Sequence, residues 1–233
     1  VGASGNPQEA YQAGKEIGTY LTELGIDTDF APVADVWSNA ENQVIGDRSF
    51  GTDPEKVAKM VAEAVRGFHD SQIRTAVKHF PGHGNTVEDS HREFAYNYST
   101  KEELEKGEWK PFEAGIEEQS EFVMVGHICC PNIISEETPA SLSEELVTDI
   151  LRNEMEFDGI IITDAMDMGA VTAHYSCGEA AVRALEAGAD MILMPEDFQE
   201  AYEAVLQAVR DGRISEEQIS ESVSRILNCK KSR

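Results

Sequence analysis

Uninterrupted apolar runs recur along this chain, and between them the apolar residues fall at helical spacing. Phe122-Val-Met-Val125, Gly159-Ile-Ile-Ile162 and Met191-Ile-Leu-Met194 contain no polar side chain. A strand with one wet face alternates polar with apolar residues, whereas a strand covered on both faces does not. These runs therefore read as strands of a parallel sheet sandwiched by helices. Asp29-Phe-Ala-Pro-Val-Ala34 and Arg74-Thr-Ala-Val77 read the same way, which brings the count to five strands.

The intervening segments carry helix signals. Gln8 to Leu24 has apolar residues at helical spacing, closed by Gly25. Asp53-Pro54 opens a second helix, with Asp as cap and Pro in the first turn. Its inward stripe is Val57, Met60, Val61, Ala64, Val65 and Phe68. An acidic helical segment follows over Lys101 to Ser120, and Ser143 caps another helix with Leu146, Val147, Ile150 and Leu151 inside. Further helices are expected over Glu179 to Glu186, Phe198 to Arg210 and Ser215 to Cys229, the last with a Ser215/Gln218 capping box.

Strand and helix alternate throughout, with no repeat, low-complexity tract or linker. The fold expected is α/β, a (β/α)8 TIM-type barrel incomplete at its N-terminal end, because a closed barrel needs about eight strands. Residues 1–233 are read as one catalytic barrel domain lacking its opening strands. A doubly wound open sheet is the competitor, but no G-x-G-x-x-G follows a first strand.

Polar groups collect at the strand ends: Asp35, Lys78-His79, His127 and Asp164. In a parallel barrel the ends of this sense share one face, so four of them together favour an enzyme site over isolated loop anchors. The segment Lys78-His-Phe-Pro-Gly-His-Gly-Asn-Thr-Val-Glu-Asp-Ser-His91 concentrates ionisable groups on a loop opened by Pro81, Gly82 and Gly84. Asp164, on the end of a buried strand, suits a nucleophile or a charge stabiliser. Asp89 lies two residues before His91, and a nearby carboxylate fixes an imidazole's tautomer and raises its basicity. That pattern suits a general acid/base at His91, against the plainer reading of two solvated loop residues. Lys78 and His79 supply donors, and Arg48 offers a further fork of them, though a surface arginine is its simpler reading. His79, His83, His91 and Asp89 match no standard zinc spacing, and Lys78 beside them disfavours a cation. No metal and no cofactor is expected. Ser90 has no G-x-S-x-G context as a nucleophile.

The formal net charge is −25, which argues against nucleic acid or an anionic membrane as partner. No apolar run of about 18 residues exists to span a membrane. Four cysteines without C-x-x-C spacing read as free thiols. The chain begins with Val and shows no signal pattern, so the compartment is not readable, and the true N-terminus is expected to lie upstream.

The Lys78–His91 run resembles the signature of bacterial β-N-acetylglucosaminidases of glycoside hydrolase family 3. Phe30-Ala-Pro-Val-Ala-Asp-Val36, Ile45-Gly-Asp-Arg-Ser-Phe-Gly51 and Ile161-Ile-Thr-Asp-Ala-Met-Asp-Met-Gly-Ala170 agree, as do Met124-Val-Gly-His127 and Thr138-Pro-Ala-Ser-Leu-Ser143. The resemblance implies a retaining exo-β-N-acetylglucosaminidase acting on terminal β-GlcNAc of cell-wall muropeptides or related glycosides. It implies Asp164 as the nucleophile of a covalent glycosyl-enzyme, His91 as acid/base with Asp89 as its partner, and Arg48, Lys78 and His79 as sugar-hydroxyl ligands. The family's Asp-Gln-Glu-Gly-Gly segment, which belongs to an upstream strand and contributes sugar contacts, is absent here. Either the piece is truncated away or a second chain supplies it, and residues 1–233 alone are expected to fold or turn over poorly. The competing activities are a β-glucosidase or a glycoside phosphorylase of the same family; the competitor from another class is an inactive sugar-binding fragment.

Overall fold

The computed structural model describes residues 1–90, 93–134 and 137–231. In chain order its elements are α1 (Pro7–Glu23), β1 (Thr28–Asp29), α2 (Pro54–Asp70), β2 (Arg74–Phe80), β3 (Ala95–Tyr96), α3 (Lys101–Lys106), α4 (Lys110–Glu117), β4 (Phe122–Val125), β5 (Ile128–Cys129), a π-helix (Glu145–Glu154), β6 (Ile160–Ala165), α5 (Gly169–Thr172), α6 (Cys177–Glu186), β7 (Met191–Leu193), α7 (Phe198–Arg210) and α8 (Glu216–Lys231). The class is α/β, with parallel strand pairs. Two compact units form, Val1–Val87 with Asn97–Met124, and Glu88–Tyr96 with Val125–Arg233.

In the first unit β1 and β2 run parallel, Thr28 beside Arg74 and Asp29 beside Thr75. On its other side β2 neighbours β4. Regular strand stops at Asp29, short of the Ala34 expected, because Pro32 has no N–H for the ladder. The pairing still continues: Lys78 N–H donates to the Pro32 carbonyl at 3.3 Å and Ala34 N–H to the Lys78 carbonyl at 2.6 Å. Asp53 caps α2 by accepting from Glu55 N–H at 3.1 Å, and the predicted stripe from Val57 to Phe68 is buried. Met60 and Ala64 on that stripe pack on Ala10 of α1, with Phe50 beside them. Full burial of a side chain such as Met60 stabilises by roughly 1.5–3 kcal/mol.

The single helix expected over Lys101 to Ser120 is two. Gly107 ends α3 and Pro111 sits in the first turn of α4, so the chain breaks between them. Of the three residues between α3 and α4, Glu108 and Trp109 are buried. Trp109 stacks on Phe80, whose ring meets Phe112 edge-on.

In the second unit β6 and β7 are parallel, Ile162 beside Met191 and Ala165 beside Leu193. Helices α6 and α7 close over Val182, Leu185, Ala208 and Ile214. Asp190, its side chain fully buried, accepts from Arg152 at 2.7 Å, Arg225 at 2.9 Å and Ile161 N–H at 2.9 Å. Burial holds the Arg152 guanidinium below its ordinary range, with the Asp190 charge opposing that shift. The Glu145–Glu154 helix starts one residue later than Ser143 alone suggests, and the Ser143 hydroxyl accepts from Leu146 N–H at 3.4 Å. At α8, Ser215 accepts from Gln218 N–H at 3.0 Å, but the Gln218 amide donates to the Leu185 carbonyl, so only the serine arm of the capping box is present. No described helix is long and apolar enough to cross a membrane.

Candidate active site

In the first unit the polar cluster is centred on Asp35, which is fully buried. The Val33–Lys78 pairing fixes where it sits, because it carries Asp35 alongside the residues that follow Lys78. The carboxylate accepts from His83 N–H at 2.7 Å, from His79 N–H at 3.2 Å, and from the His79 ring at Nδ1, 2.7 Å away. On the far side of that ring, Nε2 lies 3.4 Å from Nη2 of Arg48. An arginine has only donors, so Nε2 accepts and the ring proton is on Nδ1. Asp35 thus fixes the tautomer of His79, and His79 in turn holds one arm of an exposed Arg48. Ser49 ties this segment down by donating to the Asp35 carbonyl at 2.7 Å.

The loop after β2 is held equally closely. Asn42 donates to the His83 carbonyl at 2.7 Å, and the His83 ring meets the Thr86 hydroxyl at 2.7 Å. Trp109 donates its indole N–H to the Pro81 carbonyl at 3.1 Å. Gly84 passes so close to the preceding loop that a Cβ would sit 1.8 Å from the Val36 carbonyl oxygen. Gly82, at φ +125, lies against Glu108, whose Oε2 would be 2.6 Å from an added Cβ. Lys78 is half-buried, and its charge acts on Asp29, whose carboxyl burial pushes up while Lys78 draws it down.

In the second unit Asp164 is half-buried near the end of β6, and its Oδ1 accepts from the adjacent Ala165 N–H at 2.8 Å. The Ala165 carbonyl accepts from Nε2 of His127 at 2.9 Å, and Nδ1 of that fully buried ring meets Ser141 Oγ at 2.8 Å. His127 therefore grips the peptide next to Asp164. Asp89 is half-buried, and its carbonyl accepts from Glu93 N–H at 3.2 Å. Its expected partner His91 lies outside the described residues. Ser90 is buried, which suits packing better than nucleophilic attack. Among the described residues no group of three metal-ligating side chains assembles.

The model of the glycosyl hydrolase family 3 N-terminal domain matches residues 1–229. The chain belongs to glycoside hydrolase family 3. A family 3 β-N-acetylglucosaminidase from Paenibacillus sp. str. FPU-7 is 44% identical, with a TM-score of 0.96 over 99% of this chain and 44% of that one. A β-hexosaminidase from Stenotrophomonas maltophilia strain K279a is 40% identical over 185 residues, 78% of this chain and 53% of its own length. A β-N-acetylglucosaminidase/β-glucosidase from Cellulomonas fimi is 31% identical over 241 residues, 100% of this chain and 43% of its own length. The chain thus spans about half the length of the curated relatives it matches.

Sequence reading grouped Asp35 and His127 with the strand ends of this family 3 domain but gave neither a partner. It missed Asn42, Asn97 and Glu108 altogether. Gly107 and Pro111, which bracket Glu108 and Trp109, were the available signal that the acidic helix breaks there. The acidic residues around Glu108 masked it.

Proposed function

We propose that this is part of the catalytic barrel of a retaining exo-β-N-acetylglucosaminidase. The observation that carries the reading is the Asp35–His79–Arg48 chain of hydrogen bonds, which steadies the exposed Arg48 guanidinium so that its remaining N–H groups can meet a hydroxyl-rich ligand. Likeness to the Paenibacillus enzyme supports N-acetylglucosamine as the terminal sugar. Cell-wall muropeptides are the substrate class we favour.

In this mechanism the Asp164 carboxylate attacks the anomeric carbon as the glycosidic bond breaks, and His91 protonates the departing oxygen. A glycosyl ester on Asp164 results. His91, returned to its neutral form and steadied by Asp89, then takes a proton from water as the water attacks the same carbon. Asp164 leaves, and the product keeps its anomeric configuration. Arg48, Lys78 and His79 bind the hydroxyls of the terminal sugar. The usual retaining layout pairs two carboxyl groups about 5–5.5 Å apart, and in this reading a histidine takes the place of one of them.

A second reading, cleavage of plain β-glucosides, is favoured by likeness to the bifunctional Cellulomonas fimi enzyme. Aryl N-acetyl-β-glucosaminide and aryl β-glucoside are to be compared as substrates, with and without phosphate, beside Asp164→Asn and His91→Ala variants. Preference for the N-acetylated sugar, unaffected by phosphate and abolished by Asp164→Asn, is the expected result. Equal use of both sugars favours the second reading, and phosphate-dependent turnover identifies a phosphorylase. A fluorinated substrate that stalls at the intermediate is expected to leave its mass on Asp164; a mass found elsewhere overturns the nucleophile.

A further inference from the structure

We propose that Glu108 is a positioning residue for the sugar-binding set, gripping the loop after β2 so that His79 and Arg48 are held in one orientation. The inference rests on the reading of Arg48 and His79 as sugar ligands. Glu108 is buried and lies in the α3–α4 break, where nothing in the proposed reaction calls for an acid. Its Oε2 accepts from the Asn97 amide at 2.6 Å, and the same amide donates to the Gly82 carbonyl at 3.1 Å. Its Oε1 lies 3.4 Å from the Ser38 hydroxyl, in the segment three residues beyond Asp35. Gly82 rests directly on the carboxyl group, and the next residue, Trp109, donates to the Pro81 carbonyl. Glu108 therefore touches both segments that carry the Asp35–His79 pair without touching that pair's hydrogen bond.

The charged group facing Glu108 is Asp35, on the segment after β1; the segments bearing Ser38, Asn85 and Asn97 offer it hydroxyl and amide groups. Burial, reinforced by the Asp35 charge, pushes the Glu108 carboxyl up to about 8. The Ser38 hydroxyl donates to Oε1 and the Asn97 amide to Oε2, and Asn85 offers a backbone N–H to the same carboxyl group. The neutral acid thus bridges Ser38 to Asn97 and Gly82. Above about pH 8 the proton leaves, and two buried negative charges then share one site.

The test uses the intact protein with ring-¹⁵N histidine, beside Glu108→Gln and Glu108→Ala. The His79 ring signals of the free protein are expected to shift with a midpoint near pH 8. Glu108→Gln, which keeps shape but cannot ionise, is expected to lose that step and keep the acid-side signals. In turnover, Glu108→Ala is expected to raise KM about tenfold at pH 6 with kcat within about threefold, and Gln to restore KM. A step that survives unchanged in Glu108→Gln overturns the proposal, and so does a folded Glu108→Ala protein with wild-type His79 signals. The nitrogen signals need no sugar, so they decide the role of Glu108 even if the wild-type protein ignores N-acetylglucosaminides. That last result would count against the proposed function alone.

Discussion

Two aspartates at strand ends are treated in opposite ways by this molecule. Asp35 has no exposure, and three N–H groups converge on its carboxylate. Asp164 is half-buried, and among the described residues it accepts only from the peptide N–H next to it. A fully buried carboxylate with three donors on its roughly four acceptor sites is closed to an attacked carbon and serves to orient what it binds. One left with open lone pairs and a fixed backbone can attack. The same residue type at the same kind of position is thus a strut in one case and a candidate nucleophile in the other, and the number of donors distinguishes them.

The comparison can be broken most decisively at Asp164. Asp164→Asn is expected to cut kcat about 10⁴-fold with little change in folding stability, measured by initial rates and urea melts. A loss of stability instead would make it a strut as well. Asp35→Ala is expected to do the reverse, costing about 3–5 kcal/mol because the His79 and His83 N–H groups lose a buried acceptor. Urea melts that agree with wild type within about 0.5 kcal/mol would break the strut reading.

Glu108 sharpens the contrast through pH. The folded chain holds this proton up to about pH 8, whereas an ordinary glutamate releases it near 4.5. Between those values the folded state binds a proton that the unfolded state does not. Its contribution to stability is therefore fully present below about 4.5 and is lost as pH rises to about 8, with a slope of at most about 1.4 kcal/mol per pH unit. The wild-type minus Glu108→Gln difference across urea melts from pH 5 to 9 is expected to show this slope and to flatten above 8. The smallest effect is expected at His127. His127→Phe removes the grip on the Ala165 carbonyl and should cost about 1–3 kcal/mol, with kcat lowered about tenfold through a loosened Asp164. An unchanged kcat in that variant would mean that β6 alone holds the carboxylate.

Much of this was legible in the sequence. Unbroken apolar runs mark β4 and β6 because a strand covered on both faces leaves no wet side to encode, whereas the equally apolar run of β7 forms a strand that is only half-buried, with Met194 exposed. Asp53-Pro54 marks the start of α2 because cap chemistry is local. The pairing of Asp35 with His79 is not local. It spans 44 residues and depends on the register Val33–Lys78, which no single strand's pattern specifies. Glu108 was illegible for a related reason: an acid among acids looks solvated until the backbone break that buries it is seen. The capping box at Ser215 failed halfway because a distant acceptor, the Leu185 carbonyl, outcompeted the local one for Gln218. Sequence patterns report which face and which end; they do not report competition between remote partners.

The buried Asp190 carries a consequence for anyone who recombines this domain. Its two arginines come from different parts of the chain, Arg152 from the π-helix and Arg225 from α8. A graft or chimera with its junction upstream of Glu216 leaves half of that charge balance behind, and the acceptor Oδ1 then faces the interior without its cation. Helix α8 looks from outside like a dispensable amphipathic tail. It behaves as cargo that must travel with β6 and β7 whenever they are moved.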